Sequence, residues 1–227
     1  MLAALVPLLL AAASGPWSKS FSPPTYKSAA ASSSSGSAVA GFVLAPVSIE
    51  RNDLDYDAVM ANRPHLAATL GLKYDFDHLM YENWRDLLEA QDNFEARSAY
   101  AFAVLDPART KALGSVYFDP APAAGGGGGG GGEAAAVATV QLTYWLLADV
   151  SHGGAGGLDE AVLRAALRWA TTAWPFRRVL LPVLGSNTRL KELCQGALKL
   201  EPAPAVDGVP AFVYVKDGGA EGGKDEL

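Results

Sequence analysis

The residues with chemical reach gather in the second half of the chain. "SHGGAGGLDEAVLRAALRWA", residues 151–170, is a glycine-rich turn running into an amphipathic helix. Backbone N–H groups of such a turn, with the helix dipole behind them, can hold a diphosphate. The helix nevertheless opens on Asp159 and Glu160, two negative charges where phosphates would sit. A carboxylate about 5 Å from one phosphate charge repels it by ~3 kcal/mol at an effective dielectric near 20, about two decades of affinity. A purely structural reading stays open beside this one, since acidic residues in a first turn stabilise a helix by roughly 0.3–1 kcal/mol each.

A second group lies in "GSNTRLKELCQGAL", residues 185–198. Asn187 either caps the helix that starts at Thr188 or offers its amide to a ligand. Cys194, the only cysteine, can pass a proton or fill the core as a small apolar residue. His152, Glu133 and Asp149 are proton-acceptor candidates that read equally as loop and strand-end solvation. Arg177 and Arg178 could meet a phosphate or solvate a strand start. A single cysteine excludes an internal disulfide and a thiolate zinc cluster, and His65, His78 and His152 lack ligand spacing. No metal is expected.

The elements that must position these groups are legible from periodicity. A helix is predicted from Asn52 to Leu70, capped by Asn52 or Asp53, ended by Gly71 and kinked or broken at Pro64. A second helix, His78 to Arg97 with Asp77 as cap, carries Met80, Trp84, Leu87, Leu88 and Phe94 on one face. Residues 99–106 and 112–119 form a hairpin around "PARTK". Gly125 to Gly132 are a surface loop without a fixed shape. Residues 137–149 are apolar on both alternating faces, which predicts a central strand. Strands at 178–184 and 209–217 and a helix at 186–198 follow. The order ααββ-β-α-β-α-β describes a mixed α/β sheet with strand, glycine turn and helix at its middle.

The chain of 227 residues is long enough for one cored domain, here 42–217, with extensions. Its net charge of −6 gives no drive toward nucleic acid or anionic membrane. Residues 1–13 read as a signal peptide, too short to span a bilayer, so no membrane span is expected in the mature chain. Residues 14–41 are a Ser/Ala/Pro-rich leader, and an acid-poor leader is also found on organellar transit peptides. The final "KDEL", within the 218–227 tail, is an endoplasmic-reticulum retention signal. The expectation is residence in the lumen, with the KDEL receptor as a partner; plastid, mitochondrion and cytosol are the alternatives.

This order and these motifs resemble the GNAT superfamily of acyl-coenzyme A-dependent N-acetyltransferases, over roughly Phe42 to Asp217. The resemblance implies a mostly antiparallel central sheet flanked by helices, with acetyl-CoA as co-substrate. An amine acceptor, small molecule or protein, would attack the thioester directly while strand N–H groups hold the oxyanion. The backbone of Leu146 and Leu147 would face the thioester carbonyl. The turn's Gly154, Gly156 and Gly157 would hold the diphosphate. Two registers are open: Ser151 or Gly154 stands where the family has Gln or Arg, and the second puts Asp159 at the last motif glycine. Asn187 matches the family's pantetheine-holding Asn, and Cys194 stands where many members have the Tyr that protonates the leaving thiolate. The departures also allow a GNAT-fold pseudoenzyme, acting as a binding or scaffold protein. A third reading makes Cys194 a nucleophile, without a sequence-visible His and acid partner.

Overall fold

In a computed structural model the described residues are 41–71, 79–121, 139–151, 157–174 and 176–215. The leader, Asp77, His78, Glu133, the polyglycine run, His152, Gly154, Gly156 and the KDEL tail lie outside them. The described residues form one mixed sheet of seven strands, ordered β1-β2-β3-β4-β5-β7-β6. The strands are β1 Val43–Pro46, β2 Tyr100–Leu105, β3 Ala112–Pro120, β4 Thr139–Leu146, β5 Arg178–Pro182, β6 Glu201–Val206 and β7 Val209–Val215. Every pairing is antiparallel except β4 with β5. The long apolar strand is therefore central, as its two-faced hydrophobicity implies.

Helices α1 Asn52–Leu70 and α2 Met80–Ala96 cover one face. There Ala58, Val59, Leu66 and Leu87 pack with Ala101, Ala103 and Trp145. The other face carries α4 Leu158–Thr172 and α5 Thr188–Glu192, the latter running on as a wider turn through Ala197. Val162, Leu163, Ala166 and Leu167 of α4 stand on Val140, Leu142 and Leu146 of β4. A short helix α3, Ala148–Ser151, follows β4, so this strand ends at Leu146 rather than near Asp149.

Three local expectations change. Pro64 neither breaks nor ends α1, which runs unbroken to Gly71 in the left-handed conformation. Buried Asn62 and Leu66 hold the helix to the sheet on either side of it, while Pro64 itself faces outward. Asn52 does not cap α1; a single turn at Ile49–Arg51, capped by Ser48, leads straight into the helix. Asn52 instead bridges to α2, donating to the Met80 carbonyl at 3.1 Å and accepting from Asn83 at 3.0 Å. The front of the α2 stripe is not core, since Met80 is 46% exposed. Sequence reading also misses β1 and β6. Pro202 and Pro204 disguise β6, which tolerates them because it is an irregular edge strand.

Candidate functional site

β4 and β5 run together for three residue pairs, Thr139–Arg178 to Gln141–Leu180, and then part. Beyond Gln141 the far half of β4 has, among the described residues, a strand neighbour on one side only. Leu147 N–H donates to the Leu113 carbonyl at 2.8 Å, so odd-numbered residues of β4 bond to β3. Alternation then turns the N–H groups of Tyr144 and Leu146 toward the opening. Leu147 is thereby corrected: its N–H is consumed by β3 and its side chain lies in the α1/α2 core. Leu146 does present its backbone to the opening.

Two contacts shape this edge. Asn62, 3% exposed on α1, donates to the Leu146 carbonyl at 2.9 Å and accepts from Ala148 N–H at 3.0 Å. One amide thus fixes both sides of the turn that ends β4. On the other side Gly114 of β3 sits opposite Leu146 with φ +153°, so close that a Cβ would meet the Trp145 carbonyl oxygen at 2.0 Å. Only glycine permits this approach.

The opening is lined by His65 and Thr69 of α1, Tyr144, Trp145 and Leu146 of β4, Ser151, Asp159, and Asn187, Arg189 and Leu190. Its cavity is about 30 Å³, room for about one water. Narrowness comes from a latch. The Ser186 hydroxyl donates to the Ala68 carbonyl at 2.5 Å and the Asn187 amide to the Thr69 carbonyl at 3.3 Å. These satisfy carbonyls that the end of α1 leaves open. Asn187 Oδ1 accepts from Leu190 N–H at 3.0 Å, so its helix-capping role is realised while it also lines the opening.

Asp159 does not stand free at the start of α4. Its side chain is 3% exposed and bound by Arg189 through Nε at 2.7 Å and Nη2 at 3.2 Å. The hydrogen bond to Asp159 raises the Arg189 guanidinium above its ordinary range. The repulsion anticipated at this position is therefore cancelled by a cation brought from thirty residues away. Gly157 precedes the helix, and its carbonyl accepts from Glu160 N–H and Ala161 N–H. A Cβ there would meet the Ser151 carbonyl oxygen at 2.7 Å.

Tyr144 is held protonated, its phenol pushed up by burial and by the Asp159 carboxylate. Cys194 lies fully buried in the α4/α5 core and outside the cavity lining, and burial pushes its thiol up to about 12. Iodoacetamide at pH 8 is expected to label native Cys194 on the order of 100-fold more slowly than the denatured chain, read by mass spectrometry. Asp149 is exposed and 3.9 Å from Lys111. Arg177 and Arg178 are exposed where β4 and β5 are still joined, away from the opening, so a phosphate role for them there is not supported.

Among the lining or shaping residues that escape the sequence reading are Asn62, His65, Tyr144 and Arg189. Asn62 had a signal, for it interrupts the apolar spacing Ala58–Asn62–Leu66. A polar residue in a buried stripe marks a specific hydrogen-bonding task. The other three look like ordinary surface or strand residues until the elements are assembled.

No family model matches the chain, and no curated protein matches it in sequence. Solved structures do match. One is an acetyltransferase from Salmonella typhimurium that modifies the N-terminal serine of ribosomal protein L7/L12. It has a TM-score of 0.58 at 12% identity, over 78% of this chain and 95% of that one. RimJ of Mycobacterium smegmatis, in complex with a CoA-disulfide, matches with TM-score 0.59 at 14% identity, over 77% and 82%. The microcin C7 self-immunity acetyltransferase MccE, in complex with acetyl-CoA and AMP, matches with TM-score 0.56 at 13% identity, over 77% and 92%. With its seven-stranded, mostly antiparallel sheet and the parting of β4 from β5, this chain has the fold of the GNAT acetyltransferases.

Proposed function

We propose that the chain is an N-acetyltransferase that moves an acetyl group from acetyl-CoA to an amine. The observation that carries this reading is the free edge of β4, where Tyr144 and Leu146 turn unpaired-side N–H groups into the opening. The coenzyme supplies an activated thioester. The Leu146 N–H suits a carbonyl oxygen that gains negative charge as the amine attacks. The start of α4, with Arg189 neutralising Asp159, suits an anionic coenzyme. Tyr144, protonated and lining the opening, suits proton return to the departing thiolate in the role that Cys194 is too buried to fill. Structural neighbours carrying CoA or acetyl-CoA support the choice of co-substrate. The cavity of about 30 Å³ is too small for the acyl arm, so binding must exchange the Ser186 and Asn187 latch for contacts with the coenzyme.

Calorimetric titration of the full chain with acetyl-CoA tests the reading, and micromolar affinity is expected. Arg189→Leu should weaken that affinity about 100-fold, because an uncompensated carboxylate some 5 Å from a phosphate costs ~3 kcal/mol. Adding Asp159→Asn to it should restore most of the loss. The same Arg189→Leu change should cost about 2 kcal/mol of stability, less than a fully buried pair, since the Arg189 side chain is 35% exposed. Absence of binding at millimolar acetyl-CoA selects the second reading, a binding or scaffold protein, which the narrow latched opening favours.

A further inference from the structure

The two walls of the opening are held with unequal strength. Helix α1 forms one of them and contributes His65 and Thr69 to the lining. Its Asn62 binds both sides of the turn that ends β4, and its Leu66, 1% exposed, is sunk in the α1/α2 core. This wall cannot shift without breaking buried contacts. The other wall begins at the turn 184–187, closed by Asn187 N–H donating to the Leu184 carbonyl at 2.9 Å. Gly185 and Ser186 in this turn are exposed, and a Cβ on Gly185 would meet nothing within 4 Å. Its two ends are fixed. Val183 is buried and donates to the Pro210 carbonyl at 2.7 Å, and Leu190 is buried in the α4/α5 core.

Among the described residues the turn's hydrogen bonds to α1 are those from Ser186 to Ala68 and from the Asn187 amide to Thr69. Ala68 and Ser186 are both exposed, so water replaces each partner when the pair separates, and the net strength of the bond is small. Asn187 keeps its cap on Leu190 through its oxygen when its amide N–H leaves Thr69. Ser186 lies outside the cavity lining, and its hydroxyl is spent on α1.

We propose that residues 184–187 are an autoinhibitory strap, with the Ser186 hydroxyl as the bolt that keeps the free chain closed to acetyl-CoA. The inference rests on the acetyltransferase reading and adds the regulation of its site. A cavity of about 30 Å³ admits one water, so the closed form cannot hold the acyl arm. Coenzyme binds only those chains whose strap is open, and its apparent affinity is the intrinsic one scaled by that fraction. Removing the bolt therefore tightens binding, although a hydrogen bond is lost. Arg189, three residues further on, carries the opposite expectation, because its guanidinium serves the bound state by neutralising Asp159.

The test uses the full chain, acetyl-CoA as the probe, and Ser186→Ala beside Ser186→Thr. Ser186→Ala should bind acetyl-CoA about 2- to 10-fold tighter in calorimetric titration, the factor that one net hydrogen bond sets. Stopped-flow association should quicken by the same factor with dissociation unchanged, since the bond is already broken in the complex. Ser186→Thr keeps the hydroxyl and should bind as the parent does. Relaxation-dispersion NMR of the ligand-free chain should show exchange at residues 184–187, larger in Ser186→Ala and absent at Asn62 and Leu66. Binding by Ser186→Ala where the parent shows none also supports the strap. Equal or weaker binding by a folded Ser186→Ala overturns the proposal, and so does a gain that lies wholly in dissociation. If neither chain binds acetyl-CoA at millimolar concentration, the acetyltransferase reading is what fails. The strap is then decided by the exchange alone, and a rigid turn in Ser186→Ala overturns it.

Discussion

Gly114→Ala lowers stability by roughly 3 kcal/mol or more, the largest single effect expected of a side-chain change in this domain. The added carbon would lie 2.0 Å from the Trp145 carbonyl oxygen, 2.8 Å from Leu146 Cα and 2.9 Å from Leu146 Cδ2. Two of these are backbone atoms, which cannot swing aside, and φ at +153° is itself unfavourable for any side chain. Relief requires β3 to move away from β4 opposite Leu146, at the edge of the opening. At roughly 2–4 °C per kcal/mol for a domain of this size, the melting temperature should fall by about 10 °C. Gly208→Ala provides the contrast, since its φ is +80° but nothing lies within 4 Å of the added carbon. That change should cost only about 1–2 kcal/mol, the conformational term alone. Equal losses at the two glycines in thermal melts would show that β3 and β4 accommodate the carbon.

The second large effect belongs to Asn62→Leu, which keeps volume and removes both hydrogen bonds. The Leu146 carbonyl and the Ala148 N–H lose their partner in the interior, at about 1–3 kcal/mol for each group left unsatisfied. A loss of about 3 kcal/mol in urea unfolding is the expected sum. The functional loss should exceed what stability explains. The Leu146 backbone is held on one edge by β3 and on the other by this one amide, so its N–H drifts when the amide is gone. Mispositioning of that kind costs on the order of 100-fold in turnover. Turnover of n-butylamine, measured well below the melting temperature, separates the two effects. Unchanged turnover in a folded Asn62→Leu protein would show that α1 does not position the end of β4.

The same residue illustrates how unevenly the site can be read in advance. Helix α1 itself is legible because its period, its glycine stop and its length are properties of nineteen consecutive residues. What Asn62 does is not, because its partners lie 84 and 86 residues away. Asp159 carries the same lesson in charge. Its position at a helix start is plain in the sequence, and an isolated carboxylate there repels a phosphate. Folding brings Arg189 from the next crossover against it, and the carboxylate's charge is neutralised. Asn187 is the opposite case: capping needs only the three residues to Leu190, so that half of its reading was local.

By itself the sequence determined the order of α1, α2, β2 to β5, α4, α5 and β7, the central place of β4 and the glycine-led start of α4. Each follows from hydrophobic period and turn chemistry within a single segment. The tertiary structure alone decided where β4 and β5 part, which backbone N–H groups face the opening, and that Asn62, Tyr144 and Arg189 stand around it. Those facts depend on strand register and on contacts between distant segments, and local patterning carries no information about either.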